Sequence, residues 1–238
     1  MPENPVTPGY AWSLPPARKA QVLAEIEQAA RALMQAVANP IHDWKHVQRV
    51  RRQARRAALE TGIDPDVADL AALLHDLGRA VEQAHPGANH GDLSAELAAP
   101  ILARHAAELP PPLEAAVLDA VRRHSRLGCN SPLLAVLKEA DALDALGAVG
   151  IVRGIMTWAE GPDYDPELPL APRALADMPP VHSMIDQLHF QMAFVREVRT
   201  PGGLALARGR LAFMEAFWEQ YRREILEGEE GSGENSRV

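Results

Sequence analysis

At 238 residues the chain is long enough to bury a sizeable core as one medium domain, and its single cysteine, Cys129, excludes an intramolecular disulfide or a cysteine-built zinc cage. Hydrophobic residues make up 47% and charged residues 24%, an ordinary globular balance, and no run of about 18 apolar residues marks a membrane span. The formal charge of -8 opposes extended nucleic-acid binding, and Met1-Pro2-Glu3-Asn4 has neither the basic start nor the apolar run of a signal peptide, which points to the cytoplasm.

Residues 1–16 carry repeated prolines and little apolar periodicity, so they read as a flexible lead-in to a single domain over 17–228. From Arg18, Val22, Ile26, Ala29, Ala30, Leu33 and Val37 recur at helical spacing up to Asn39-Pro40. A second helix is expected from Trp44 to Thr61-Gly62, with His42 and His46 near its start. Its arginines at 49, 51, 52, 55 and 56 read as a solvated face. Asp64-Pro65 is an N-cap followed by proline at the first helical position, and opens a third helix with Val67, Leu70, Ala71, Leu73 and Leu74 inward. His75 and Asp76 fall in the last turn of that helix, with Gly78 expected as its left-handed cap.

Further helices are expected near 92–107, bent at Pro100, near 112–126, and from Ser131-Pro132 to Asp141 and Asp144. Small residues then suit close helix packing as far as Gly161-Pro162. A long proline-rich loop over 161–181 is read either as a lid or as an interface. Two amphipathic helices, 184–198 and 204–226, are separated by Pro201-Gly202-Gly203, and 229–238 reads as a disordered tail. No segment alternates convincingly enough for a strand, so the fold class is all-α.

His46, His75, Asp76 and Asp141 are the candidate metal ligands in this frame. Imidazole nitrogens mixed with carboxylate oxygens suit one divalent transition metal, manganese first, with iron, nickel, cobalt or zinc as alternatives and magnesium less well matched. They form one site only if three helix ends converge.

The segments "HDWKHVQRV" at 42–50, "AALLHDLGR" at 71–79 and "LKEADALDALGAVGIVR" at 137–153 resemble, in order, the H...HD...D signature of HD-domain metal-dependent phosphohydrolases. The resemblance covers roughly residues 25–160, and the C-terminal helices over 182–228 are similar to those of compact bacterial single-domain members. It implies an HD-domain helical bundle with those helices packed on it. It also implies that His46, His75, Asp76 and Asp141 hold one divalent metal whose activated water cleaves a phosphoester or phosphoanhydride. Asp76 and Asp141 are the candidate catalytic carboxylates.

Around these four, His42 is a candidate phosphate contact or alternate ligand, and Arg79 could bring a guanidinium to a phosphate beside the ion. His90 and His124 fall where two-metal relatives place additional histidines. Ser125 replaces the second histidine of their "HH", so His90 and His124 are read as phosphate contacts, proton donors or weak second-site ligands. Lys138 and Arg153 are weaker cationic candidates, and Asp144 either orients a ligand or caps the next helix.

The resulting expectation is a phosphohydrolase acting on small phosphorylated molecules, nucleotides first, releasing monophosphate and pyrophosphate from nucleoside triphosphates. The alternatives are a nucleoside monophosphate phosphatase of the same superfamily and a non-catalytic, metal-stabilised nucleotide-binding module. No membrane partner is expected, and a homodimer is the alternative to a monomer.

Overall fold

The computed structural model describes residues 10–37, 39, 41–158, 161–162, 181 and 183–230, with side chains to 227. The lead-in before residue 10, nearly all of the 161–181 loop and the tail from 231 lie outside the described residues. Among the described residues the fold is all-α, as expected from the absence of alternating segments. The described residues form two compact units, one within 10–144 with 196–204 and the other within 145–195 with 205–230.

The first unit contains α1 (Pro16–Met34), α2 (Trp44–Thr61), α3 (Pro65–Leu74), α4 (His90–Ala103), α5 (Pro111–Arg123) and α6 (Pro132–Asp144). Local chemistry sets most of their ends. Asp43 caps α2 by accepting the His46 amide, Asp64 caps α3 by accepting that of Asp66, and Asn89 caps α4 by accepting that of Gly91. Such caps contribute about 1 kcal/mol each by satisfying amides that have no partner inside the helix. Gly62, at φ 72°, supplies the left-handed turn that ends α2.

Helix α3 is the centre of this unit, with every residue from Val67 to Leu74 buried. That includes Asp69, whose carboxylate accepts two hydrogen bonds from Arg51 and one from Arg55. The arginine face of α2 is therefore not simply solvated. Arg49 pairs with Asp144, Arg51 with Asp69 and Glu27, and Arg55 with Asp66 and Asp69, because each lies opposite a carboxylate from another helix.

The cap expected at Gly78 is also different. Helix α3 stops at Leu74, and Gly78 lies inside a 3-10 helix, Leu77–Ala80, with no positive φ. Glycine is required there by contact: a Cβ would press into the His90 carbonyl oxygen and the Leu93 Cβ. The Gly78 amide donates to Ser94 Oγ at 2.8 Å. Gly91 has the same role in the next layer, where a Cβ would meet the Arg122 carbonyl. These two close approaches stack the segment after α3, the start of α4 and the end of α5.

The second unit contains α7 (Gly147–Thr157), α8 (Met184–Met192) and most of α9 (Pro201–Glu230). Helix α8 is shorter than expected and passes into a 3-10 helix, Ala193–Glu197. Pro201-Gly202-Gly203, expected as a separator, is instead the first turn of α9. Proline is favourable at a first helical position, and acceptors satisfy the free amides of that turn. Glu60 accepts the Gly202 amide and Thr200 Oγ1 that of Gly203. Glu139, 1% exposed, accepts the amides of Arg199 and Thr200 and the Thr200 hydroxyl.

Candidate metal centre

All the site histidines belong to the first unit, and helix ends deliver most of them. His75 and His124 are the residues immediately after α3 and α5, and both keep right-handed helical geometry. In that position each Nδ1 reaches a carbonyl three residues back: His75 to Ala72 O and His124 to Val121 O, both at 2.7 Å. These carbonyls belong to the last turn, where acceptors lack amide partners within the helix. The Nδ1 proton is therefore held on the backbone, and the Nε2 lone pair faces away from it. His46 is oriented differently, with Nδ1 donating to Asp144 Oδ2 at 2.7 Å.

The Nε2 atoms converge on Asp76. His46 and His75 place theirs 3.5 and 3.6 Å from Asp76 Oδ2. His90 and His124 place theirs 3.7 and 3.8 Å from Asp76 Oδ1. Asp141 Oδ1 is 3.5 Å from His46 Nε2, and the side chain of Asp141 is 36% exposed, so it lies at the open edge. His46 and His75 bring their Nε2 atoms to 3.2 Å from each other, and His90 and His124 to 3.1 Å. Since Nδ1 carries the proton in His46 and His75, their facing Nε2 lone pairs need a proton or a cation between them. The donor set fits a divalent metal. His46, His75 and Asp141 have ligand atoms within 4.8 Å of one another, as do His75, Asp76 and His124, and His42, His46 and Asp76.

Burial and neighbouring groups shift three of the imidazoles and both carboxylates downward. Burial pushes the His75 and His124 pKa values down, against the opposing pull of Asp76. Burial and the nearby Arg79 charge push His90 down to about 3. For Asp76, burial favours the neutral acid, but the neighbouring His75, His42 and His46 hold it well below the usual carboxylate range. Burial opposes ionisation of Asp141 too, and His46, His75 and His124 prevail in lowering it.

The remaining candidates occupy distinct places. His42 precedes the α2 cap rather than lying on the helix, and its Nδ1 is 2.7 Å from Asp76 Oδ2. Arg79 donates through Nη1 to both oxygens of Glu82 at 2.9 Å, and its Nε lies 3.5 Å from Asp76 Oδ1. Ser125 donates to Asn89 Oδ1, the cap of α4. Lys138 is buried with Nζ 3.4 Å from Glu197, and Arg153 stands on α7 in the second unit. Asp144 does not cap α7, whose N-cap is Leu146; it orients His46 and also accepts two hydrogen bonds from Arg49. The role of Arg49 and the backbone anchors at Ala72 and Val121 were missed in the sequence. For the anchors a signal existed, because both histidines follow helix-periodic runs.

The HD domain family matches residues 43–146. No curated protein matches the chain. Among solved structures, a predicted HD-superfamily hydrolase from an uncultured Thermotogales bacterium is 25% identical, with 85% of this chain and 92% of that one covered at a TM-score of 0.60. A Lactobacillus plantarum protein is also 25% identical, with 87% and 97% covered and a TM-score of 0.67. Bacillus subtilis YpgQ, solved in complex with ADP, is 22% identical, with 85% and 97% covered and a TM-score of 0.61. Residues 43–146 are thus an HD domain.

Proposed function

We propose that the protein is a cytoplasmic, metal-dependent phosphohydrolase that acts on nucleotides and converts nucleoside triphosphates to monophosphate and pyrophosphate. The observation that carries this reading is the aim of four imidazole Nε2 atoms at the two oxygens of Asp76, with Asp141 beside them at the open edge. A divalent cation held by His46, His75, Asp76 and Asp141, manganese by preference, would lower the pKa of water toward neutrality and offset phosphoryl charge.

The chain's own residues supply the rest. Asp141 combines ionisation with exposure, so it is the carboxylate able to orient a water and accept its proton. Arg79 Nε is buried with no hydrogen-bond partner, a donor that a phosphate oxygen would satisfy. His90, the first residue of α4, lies 3.4 Å from Arg79 Nη2 and extends the same anion-facing side. The ADP complex of YpgQ supports a nucleotide as ligand class.

The test is a screen of nucleoside mono-, di- and triphosphates with manganese, nickel or cobalt, detecting phosphate and pyrophosphate separately. Pyrophosphate release by the wild type that disappears in Asp141→Ala is the expected result. Phosphate release from monophosphates alone would replace the triphosphate reading with the monophosphatase one. Absence of turnover with every metal would leave a nucleotide-binding module.

A further inference from the structure

His46 differs from the other oriented histidines in what holds it. His75 and His124 lean on carbonyls of their own helices, which are positioned once the helix forms. His46 leans on Asp144, a side chain 98 residues away on α6. An aspartate side chain has two rotatable bonds, so it fixes an imidazole only if something fixes the aspartate. Arg49 does so by donating Nε to Asp144 Oδ1 at 2.6 Å and Nη2 to Oδ2 at 3.0 Å. Asp144 is 3% exposed and His46 is fully buried, so little water competes for these bonds.

The same helix also reaches the other nitrogen of this imidazole. Asp141, one turn before Asp144, has Oδ1 3.5 Å from His46 Nε2. Helix α6 thus engages both ring nitrogens of one α2 histidine through carboxylates three residues apart, and Arg49, on the α2 turn after His46, closes the arrangement.

We infer that Arg49 and Asp144 are a positioning pair for His46 that sets how tightly the centre retains its cation without touching it. Asp144 holds the Nδ1 proton, so the Nε2 lone pair faces the cluster, and Arg49 holds the plane of Asp144 and balances its charge. This inference rests on the metal-binding part of the proposed function and assigns cation retention to residues outside the ligand set.

A neighbouring pair supplies the control. Arg51 and Asp69 make the same two-point contact, with Nε to Oδ1 at 2.7 Å and Nη2 to Oδ2 at 2.9 Å, between α2 and α3. Asp69 is also 3% exposed, and its contacts run to Arg51 and Arg55 rather than to any site histidine.

The experiment is calorimetric titration of metal-stripped full-length protein with manganese alone, alongside thermal melts in chelator. Asp144→Ala should weaken manganese binding about 10- to 100-fold. Asp144→Asn should weaken it less, since the amide oxygen still accepts the Nδ1 proton, and it carries the test if the alanine variant does not fold. Arg49→Gln should fall between wild type and Asp144→Ala. Asp69→Asn should lower the melting temperature in chelator and leave the manganese Kd unchanged. Wild-type affinity in both Asp144 variants, or a loss in Asp69→Asn as large as in Asp144→Asn, would overturn the inference. A wild type that binds no divalent cation would overturn the metal reading and this inference with it. Manganese binding that depends on Asp144 in a protein without hydrolytic activity would support the pair and count against the hydrolase reading alone.

Discussion

The two oxygens of Asp76 face different surroundings. Oδ2 is turned to His42, His46 and His75, and Asp141 Oδ1 lies 3.5 Å from the same His46 Nε2. Oδ1 is turned to His90, His124 and Arg79. Apart from His42, whose Nδ1 is 2.7 Å from Oδ2, the histidine nitrogens lie at 3.5 to 3.8 Å on both sides, so their distances alone do not separate them. Charge does, because the first side adds a second carboxylate while the second adds a guanidinium and the N-terminal turn of α4. A cation is therefore favoured most near Oδ2, while on the Oδ1 side Arg79, which also donates to Glu82, is the group able to meet a phosphate oxygen, with Asp76 as the boundary between them.

Asp76→Ala should have the largest effect, since it removes the group common to both sides. Manganese binding should fall below calorimetric detection, and retention of wild-type affinity would show that the boundary is misplaced. The next effect should separate the sides: His46→Ala weakens manganese binding about 100-fold or more, whereas His124→Ala leaves the manganese Kd within a few-fold and raises the nucleotide KM. Equal losses of manganese affinity would make both sides cation sites.

Acid provides a third test, which acts on both sides at once. In the folded protein His75, His90 and His124 lie below the ordinary value of 6.5, His90 at about 3, so the unfolded chain binds more protons as pH falls below that value. Their contribution to stability is complete above 6.5 and is lost on acidification, at up to about 1.4 kcal/mol per pH unit for each group. Asp76 and Asp141, also lowered, add a loss of the same sign below their ordinary value of 3.8. Melting temperatures in chelator should therefore decline from about pH 6.5 downward, and His90→Gln should flatten that slope; a flat wild-type profile would contradict neutral buried histidines. The smallest effect is expected for Arg79→Lys. It keeps the charge but loses the planar fork, so KM should rise several-fold while the manganese Kd stays put.

How legible the molecule was in its sequence differs from segment to segment. Helices α2 and α3 could be bounded closely because Gly62 and Asp64-Pro65 act within a few residues of themselves. Gly78 misled, because a glycine at the end of an apolar run reads as a left-handed cap, whereas its use here depends on the His90 carbonyl across the fold. The α2 arginines misled in the same way: their spacing describes a helix face, but the carboxylates of Asp69 and Asp144 opposite that face come from other helices. Pro201-Gly202-Gly203 looks like a break until Glu60 and Glu139, from α2 and α6, are seen to cap the turn.

What the amino-acid sequence determined alone was the supply of components: an all-α chain, helices with their own start and stop chemistry, and imidazole and carboxylate groups of the kind that bind transition metals. Those properties arise from neighbours within one or two turns, where spacing and residue type suffice. Only the tertiary structure decided which oxygen of Asp76 meets which histidines, that α6 grips both nitrogens of His46, and that Gly78 and Gly91 let three segments approach. Hydrogen bonds between residues 98 positions apart are a result of how helices pack, and no local pattern encodes the partner.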